Sequence, residues 1–410
     1  MGAAALEQPA GVPGGPTRRP GRAAGPVVTG EVLIAGAGPV GLACGLTLAR
    51  HGVAVTVLER GAGLSTASRA STFHAGTLDR LEPLGVVPEL VAAGLTVPRV
   101  QWRDLAGTVL AEMDLAVLDG LTRHPYRLHA EQTALTRLLA ERLQALPHAR
   151  ILFEHEVHRT STVAGGVEVT ARTPDGPYVF AGRYLIAADG AHSAVRTALG
   201  LAFPGTNYPH QALRVITEKA LDEAIPGLAA LTYYRDVRQS FSALGLLDHW
   251  RLIFRVPLGG RAADAAGLLR RGLPGVDVPI ADAHTYPVSR RLLDSYRHGA
   301  VFFAGDAAHL TSTAGGLNMN AGLHDATTLG DTLAEILRGA DDDLATRWAD
   351  RRRSSLVDDV LPQSENRARG ADGTDPRAAV AEIVRIAADP ALTRDYLARS
   401  SLLTPRPVGV

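Results

Sequence analysis

The sequence predicts an α/β chain, a Rossmann-like half built on parallel strands with an antiparallel second lobe set into it. Three observations predict it. Residues Glu31–Arg60 read as strand, Gly-x-Gly-x-x-Gly, helix, strand and acid. Two later apolar strands end in Asp189-Gly190 and Gly305-Asp306. Residues 201–283 carry strand-like runs with no helix between them long enough for a parallel crossover.

A chain of 410 residues is long enough for two or more lobes. Its 42 basic and 42 acidic side chains cancel, so charge gives no reason to expect nucleic acid or an anionic membrane as a partner. A composition of 46% hydrophobic and 20% charged residues is ordinary for a globular protein. Lys219 is the only lysine, and arginine supplies the remaining positive charge. Cys44 is the only cysteine, which excludes an intrachain disulfide and a thiolate metal cluster. His155 and His158, three apart on a strand, point to opposite faces, and no metal is expected. No apolar run reaches the ~18 residues of a bilayer span. Residues 1–29, rich in Pro, Gly and Ala, lack the apolar core of a signal peptide and read as a disordered leader; the expected location is the cytoplasm.

Structure is expected to begin at Glu31. After the short apolar strand Val32–Ala35, Gly36 allows a tight turn, Gly38 lets backbone approach a pyrophosphate, and Gly41 lets helix and strand pack closely, with Pro39 and Val40 between them. Leu42–Arg50 has helical spacing and Gly52 stops it. The second strand, Val53–Leu58, ends in Glu59-Arg60, where Glu59 can bond a ribose hydroxyl. Cys44 sits on a small-residue helix face and reads as packing. Arg69 heads an exposed-looking loop, equally readable as a phosphate or cofactor contact and as a surface charge; His74 beside it reads as structural. A helix is expected at Thr77–Leu84, strands at Val109–Met113 and Tyr126–His129, and an amphipathic helix at Gln132–Leu146 through Leu135, Leu138, Leu139 and Leu143. Gln132 can cap that helix or touch a cofactor.

Residues 151–188 alternate like strands, with turns at Gly165-Gly166 and Asp175-Gly176. Tyr184–Ala188 then runs into Asp189-Gly190, with a helix starting near Ser193; on the residues alone, Asp189 is a cap before it is a ligand acceptor. Leu231–Tyr234, Phe241–Leu247 and Arg251–Val256 form the second lobe, whose Tyr233, Tyr234, Phe241, His249, Trp250 and Phe254 are mostly core, with a few lining an apolar pocket. In Ala300–Leu337 the strand Val301–Ala304 delivers Asp306 beside a loop carrying Gly315-Gly316, and a helix opens near Asn320. That arrangement suits a flat, phosphate-bearing ligand. Helices follow at Leu344–Leu361, Arg377–Ala388 and Leu392–Arg399, with Arg351-Arg352-Arg353 reading as a solvated face.

Taken together and in this order, the three segments resemble the FAD-dependent aromatic hydroxylases of the para-hydroxybenzoate hydroxylase fold, the class A flavoprotein monooxygenases, over roughly Glu31 to Arg367. The resemblance implies that Gly36, Gly38, Gly41 and Glu59, with Pro39, Val40 and Arg60, bind the ADP half of FAD. Asp189 and Gly190, with Ser193 and Arg196, match the family's Asp-Gly motif near the pyrophosphate, and Gly305-Asp306 its Gly-Asp motif, whose acid bonds the ribityl chain. Arg69, Gln132 and Val157 fall among the cofactor contacts. Gly316, Leu317, Asn318, Met319 and Asn320 bring backbone N–H groups to the flavin. Two departures stand out: Ser312-Thr313 replaces the usual proline pair, and Asn318 stands where the family has glycine.

The implied domains are a FAD-binding domain of residues 30–100, 124–200 and 284–365, a substrate domain of 101–123 and 201–283, and a C-terminal helical segment of 366–410. The implied reaction is hydroxylation of an aromatic or polycyclic small molecule with O2 through a flavin C4a-hydroperoxide. NADPH or NADH docks transiently as reductant, since there is one dinucleotide fingerprint. The catalytic base stays unassigned, with His249, Tyr233 and Tyr234 as candidates, and the chain is monomer or homodimer. An epoxidase, oxidase or reductase of the same fold, or a flavin-binding accessory protein without turnover, remains the alternative.

Overall fold

The computed structural model describes residues 27–29, 31–67, 70–218, 221–261, 264–369 and 375–403. At its centre is a six-stranded sheet in the order Arg297–His298, Val301–Phe303, Tyr184–Ala187, Val32–Ala35, Val55–Leu58 and Ala149–Leu152. All but the two-residue edge strand pair in parallel. The four central strands are buried at every position, which is why they read as unbroken apolar runs rather than alternating ones. Helices Pro39–Arg50, Gln132–Gln144 and Leu317–Leu337 pack as one layer. The first and last of them approach through small residues: a Cβ on Gly330 would lie 2.7 Å from Thr47.

The second sheet has eight strands, ordered His309–Leu310, Ile280–Leu292, Gly205–Glu218, His249–Pro257, Phe241–Gly245, Leu231–Tyr234, Arg99–Arg103 and Val109–Asp114. One pair, Arg99–Arg103 with Leu231–Tyr234, is parallel and the others are antiparallel. Ile280–Leu292 carries this sheet past the boundary expected at residue 284. The edge strand His309–Leu310 joins the loop after Gly305-Asp306 to it, so the two sheets meet along that loop.

Four details depart from the expected elements. Val27–Thr29 already forms a strand, pairing in parallel with Val179–Ala181 in a four-stranded sheet; three residues between Pro26 and Gly30 are too few to show alternation. The rest of the expected leader, residues 1–26, lies outside the described residues. The early helix is Ala75–Leu81, followed by a 3-10 turn at Glu82–Leu84, because Pro83 lacks a donor and Gly85 takes φ 71°. The long helix expected from Asn320 begins at Leu317, directly after Gly316 at φ 63°. The helix expected over Leu344–Leu361 runs Asp343–Ser355, then a π turn at Leu356–Val360, then Leu361–Ala368. Pro362 withholds an N–H where an uninterrupted α-helix would need one.

Helices Pro376–Ala387 and Pro390–Ser400 start on Asp-Pro steps whose aspartates accept backbone N–H bonds. Leu397 and Ala398 pack with Trp102 and Tyr233 against the second sheet. Among the described residues, no helix is long and apolar enough to cross a membrane.

Candidate active site

The parallel register sets the site. Ala35 lies opposite Leu58 on one side and Ala187 on the other, and Ala187 lies opposite Phe303. Glu59, the glycine loop Gly36–Gly41, Asp189-Gly190 and Gly305-Asp306 therefore leave four adjacent strands at one carboxyl edge. In open α/β sheets that edge is where ligands bind. Gly36 takes φ 101°, and a Cβ there would sit 2.5 Å from the Ala188 carbonyl. A Cβ on Gly41 would sit 2.0 Å from the Gly36 carbonyl. Gly38 has open space instead: it begins the helix Pro39–Arg50 with no side-chain cap and nothing within 4 Å of its Cβ position. Backbone donors at a helix N-terminus thus face a gap that suits a pyrophosphate.

The acids at this edge are held by backbone. Glu59 accepts from Ala37 N at 2.7 Å and Gly61 N at 2.9 Å, closing the glycine loop, while Arg60 beside it is exposed. Asp189 accepts from Val195 N at 3.1 Å through Oδ2, and Ser193 caps the same short helix by accepting from Arg196 N. Asp189 Oδ1 is buried and has no partner among the described residues, and burial raises its carboxyl. Arg196 is turned inward: it donates to the carbonyls of Ala307 at 3.1 Å and Ala191 at 2.7 Å and stacks on Phe203, tying the two Asp/Gly loops together.

The Gly-Asp loop carries a chain of bonds absent from the sequence reading. Arg352 donates to Asp325 at 2.8 Å, and Asp325 accepts from His309 Nε2 at 2.8 Å and from Gly305 N at 3.2 Å. His309 Nδ1 meets Asn318 Oδ1 at 3.0 Å, and Asn318 Nδ2 donates to Asp306 at 2.8 Å. Asn318, standing where the family has glycine, thereby links the Gly-Asp acid to a buried ion pair. Burial pushes the Asp325 carboxyl up, but Arg352 and His309 outweigh it and hold it at about 2. The arginine triplet is thus no plain solvated face: Arg352 binds Asp325 and Arg353 donates to the Leu293 carbonyl, while Arg351 is exposed. Ser312 and Thr313 leave the loop fastened without prolines. Ser312 Oγ accepts from Ala314 N, the Ser312 carbonyl accepts from Ser364 Oγ, and Thr313 bonds Tyr286.

A family model described as "FAD binding domain" matches residues 29–364. The chain belongs to the class A flavin-dependent aromatic monooxygenases. It is 31% identical over 349 residues to 6-hydroxy-3-succinoylpyridine 3-monooxygenase HspB of Pseudomonas putida, covering 83% of this chain and 88% of that one. Its fold is that of p-nitrophenol 4-monooxygenase PnpA from Pseudomonas putida DLL-E4, with a TM-score of 0.87 at 28% identity over 93% of this chain and 100% of that one. Aklavinone-11 hydroxylase, solved with FAD and aklavinone, matches with a TM-score of 0.74 at 26% identity, over 85% of this chain and 70% of that one.

The residues of this monooxygenase fit FAD. Gly38 leaves a cradle that a Cβ would enter, and Asp189 Oδ1 is a buried acceptor without a donor. Gln132 opens the helix Gln132–Gln144, its N–H bonded to the Ala70 carbonyl. Val157 is 5% exposed on the strand Glu156–Val163 and packs into the main core. Leu317 and Met319 point their side chains into the interior, leaving their backbone for the loop. Asn320 is spent on structure, donating to the Thr72 and Gly316 carbonyls and accepting from His74 N. Arg69 lies outside the described residues.

The three candidate bases are placed differently. Tyr234 is 2% exposed and stacks on Phe241 at 4.4 Å; burial pushes its hydroxyl up to about 12, so it stays protonated at neutral pH. Tyr233 lies 5.5 Å from Trp102 and hydrogen-bonds Arg127. His249 holds Asp248 at 2.7 Å through Nδ1, and its Nε2 lies 3.4 Å from Glu131, which Arg251 also grips.

Proposed function

We propose that the chain hydroxylates a small aromatic ring, drawing reducing equivalents from NADH or NADPH and one oxygen atom from O2. The observation that carries this reading is the course of residues 305–317. They leave the edge where four cofactor motifs converge and run directly into the aromatic eight-stranded sheet, so a cofactor seated on the motifs ends beside that sheet. The relatives named for 6-hydroxy-3-succinoylpyridine and p-nitrophenol support a hydroxylated ring as the substrate class.

Bound FAD supplies the redox and oxygen-activating chemistry. In this reading the protein's part is positional. Gly38 and the helix behind it hold the pyrophosphate, Glu59 accepts from the ribose, and Asp189 Oδ1 and Asp306 accept from the rest of the chain of hydroxyls. N–H groups in the first turn of Leu317–Leu337, at the positive end of that helix, would hold the cofactor's ring system and favour negative charge on it. Nicotinamide has no second fingerprint to occupy and docks transiently. The domain division follows the two sheets, with the seam along residues 305–317.

The test is the absorption spectrum of the purified protein, followed anaerobically as NADPH or NADH is added with and without a phenol. Bound oxidised flavin that bleaches faster with the phenol, and oxygen-18 from O2 in the product, are expected. Flavin that no nicotinamide reduces overturns the reading in favour of an oxidase or an accessory protein.

A further inference from the structure

The last helix converges on the cofactor loop through contacts that none of the roles above uses. The helix Pro390–Ser400 ends with Ser400 and Ser401 buried. The Ser401 carbonyl accepts from Gly76 N at 3.0 Å, and a Cβ on Gly76 would sit 2.4 Å from the Leu402 carbonyl. Leu402 packs against the cluster of Leu317, Ala321, Leu356 and Val360, which includes the first turns of the helix that follows the loop. His74 stands between the two segments: its Nδ1 lies 2.7 Å from the Ser400 carbonyl and its Nε2 2.9 Å from the Gly315 carbonyl. Its backbone N–H donates to Asn320 Oδ1 at 3.0 Å, and Asn320 donates in turn to the Gly316 carbonyl at 2.7 Å. A second tie runs beside the first. Arg367 donates to the Gly315 carbonyl at 3.3 Å and bonds Tyr396, on the same last helix.

His74 is fully buried. Burial, then Arg127 and Arg367, depress its ring well below the usual range, so at neutral pH it carries one N–H. Two carbonyls face that one proton. Each has an arginine as its other donor, Arg127 for Ser400 at 3.4 Å and Arg367 for Gly315 at 3.3 Å, so neither tautomer strands a carbonyl. The stretch of loop held in this way is hard to order by itself. Gly315 and Gly316 take φ 81° and 63°, and adjoining glycines lose more conformational freedom on ordering than any other pair. A Cβ on Gly315 would sit 2.3 Å from Arg367 Nη1, so the contact needs glycine there as well.

We propose that the helix Pro390–Ser400 is a strap on the cofactor loop and that His74 is the positioning residue joining them, so that docking of this helix and binding of FAD favour each other. This rests on FAD as the cofactor of the site. With the helix docked, Gly315 and Gly316 already hold the conformation that leads into the first turn of Leu317–Leu337, and the backbone donors of that turn are ordered before the ligand arrives. With the helix released, FAD must itself order the two glycines and binds more weakly. By reciprocity, FAD that orders the loop tightens the helix by the same factor.

The test is hydrogen exchange of the full chain with and without FAD, after absorbance has shown how much flavin is bound. We expect FAD to slow the amides of residues 393–402 ~10-fold or more beyond its effect on residues 379–387, in the neighbouring helix. His74→Asn keeps an amide donor on the Nδ1 side and His74→Gln one on the Nε2 side, so each retains one end of the strap. Both are expected to lose most of the excess protection and to bind FAD ~10-fold more weakly by flavin fluorescence. Tyr396→Phe, which keeps the ring beside Trp102, cuts the second tie and is expected to lower the excess protection by less. Last-helix amides that FAD slows no more than those of residues 379–387 overturn the strap while leaving the flavin site in place. Excess protection that survives in both His74 variants overturns the role of His74; a merely structural histidine gives that result together with a lower thermal midpoint. If neither His74 variant folds, Tyr396→Phe decides in their place, a fall in excess protection supporting the strap and an unchanged value overturning it. A chain that binds no flavin removes the cofactor reading and the strap with it.

Discussion

The cofactor edge and the seam beside it are built by different means. At the edge, backbone decides. Gly36, Gly41 and Gly305 are each needed because an added Cβ would meet atoms at 2.5, 2.0 and 2.8 Å, and Glu59 and Asp189 are fixed by N–H groups within a few residues of a glycine or a helix start. At the seam, side chains decide, and they come from far apart. His74 reaches Ser400, Arg127 reaches Ser400, and Arg251 reaches Glu131 and Ser71. A site made of backbone tolerates almost no added atom. A site made of side chains tolerates change in any one of them but depends on the whole fold for its geometry.

That contrast can be broken or sharpened experimentally. The largest effect is expected from Gly41→Val, which drives a branched side chain into the Gly36 carbonyl; a loss of more than ~3 kcal/mol and of bound flavin is expected, read as flavin absorbance per protein and by urea unfolding. Asp325→Ala comes next. It leaves Arg352 and His309 buried without their acid, at a cost of ~3–5 kcal/mol in the same urea titration, and weakens FAD binding through Asn318 and Asp306. Retained flavin affinity in a destabilised Asp325→Ala protein would show that the bond chain ends at His309.

A pH series probes the seam. Burial lowers His129 to about 4, so the unfolded chain takes up the proton first on acidification. The stability of the neutral form is therefore complete above pH ~6.5 and is lost down to pH ~4, by ~3 kcal/mol for this one group. His129→Gln should flatten that limb. Asp325, held at about 2, acts in the same direction in a lower window: its stabilisation is present above pH ~4 and is lost between there and pH ~2 as it protonates. The smallest effect is expected from Tyr234→Phe, with under ~1 kcal/mol lost and turnover changed less than ~3-fold, because the ring makes the packing and the hydroxyl stays protonated. A hundredfold fall in turnover would return Tyr234 to the catalytic candidates.

Local chemistry made the cofactor half readable. The glycine fingerprint, the acid after the second strand and the two Asp/Gly steps act on chain neighbours, so spacing carried the parallel sheet and the carboxyl edge, and the same motifs carried the resemblance to the family. The second sheet was readable as strands, but its extension through Ile280–Leu292 was not, since pairing with Gly205–Glu218 is a long-range fact. Three residues show the limit most clearly. Arg352 and Arg351 are indistinguishable in a triplet, yet one grips a buried acid and the other faces water, because helical rotation decides which side meets Leu317–Leu337. Asn318 read as a departure in a loop, and only the fold brings His309 and Asp306 to either end of its amide. Arg127 carried no spacing signal at all; its burial comes from chain more than two hundred residues later closing over it, where the Ser400 carbonyl accepts from it. Sequence alone determined the features that act within one strand, turn or helix start, where a few bonds separate cause and effect. Tertiary structure alone decided which charges are buried together, because burial is a property of the packed chain and of no single segment.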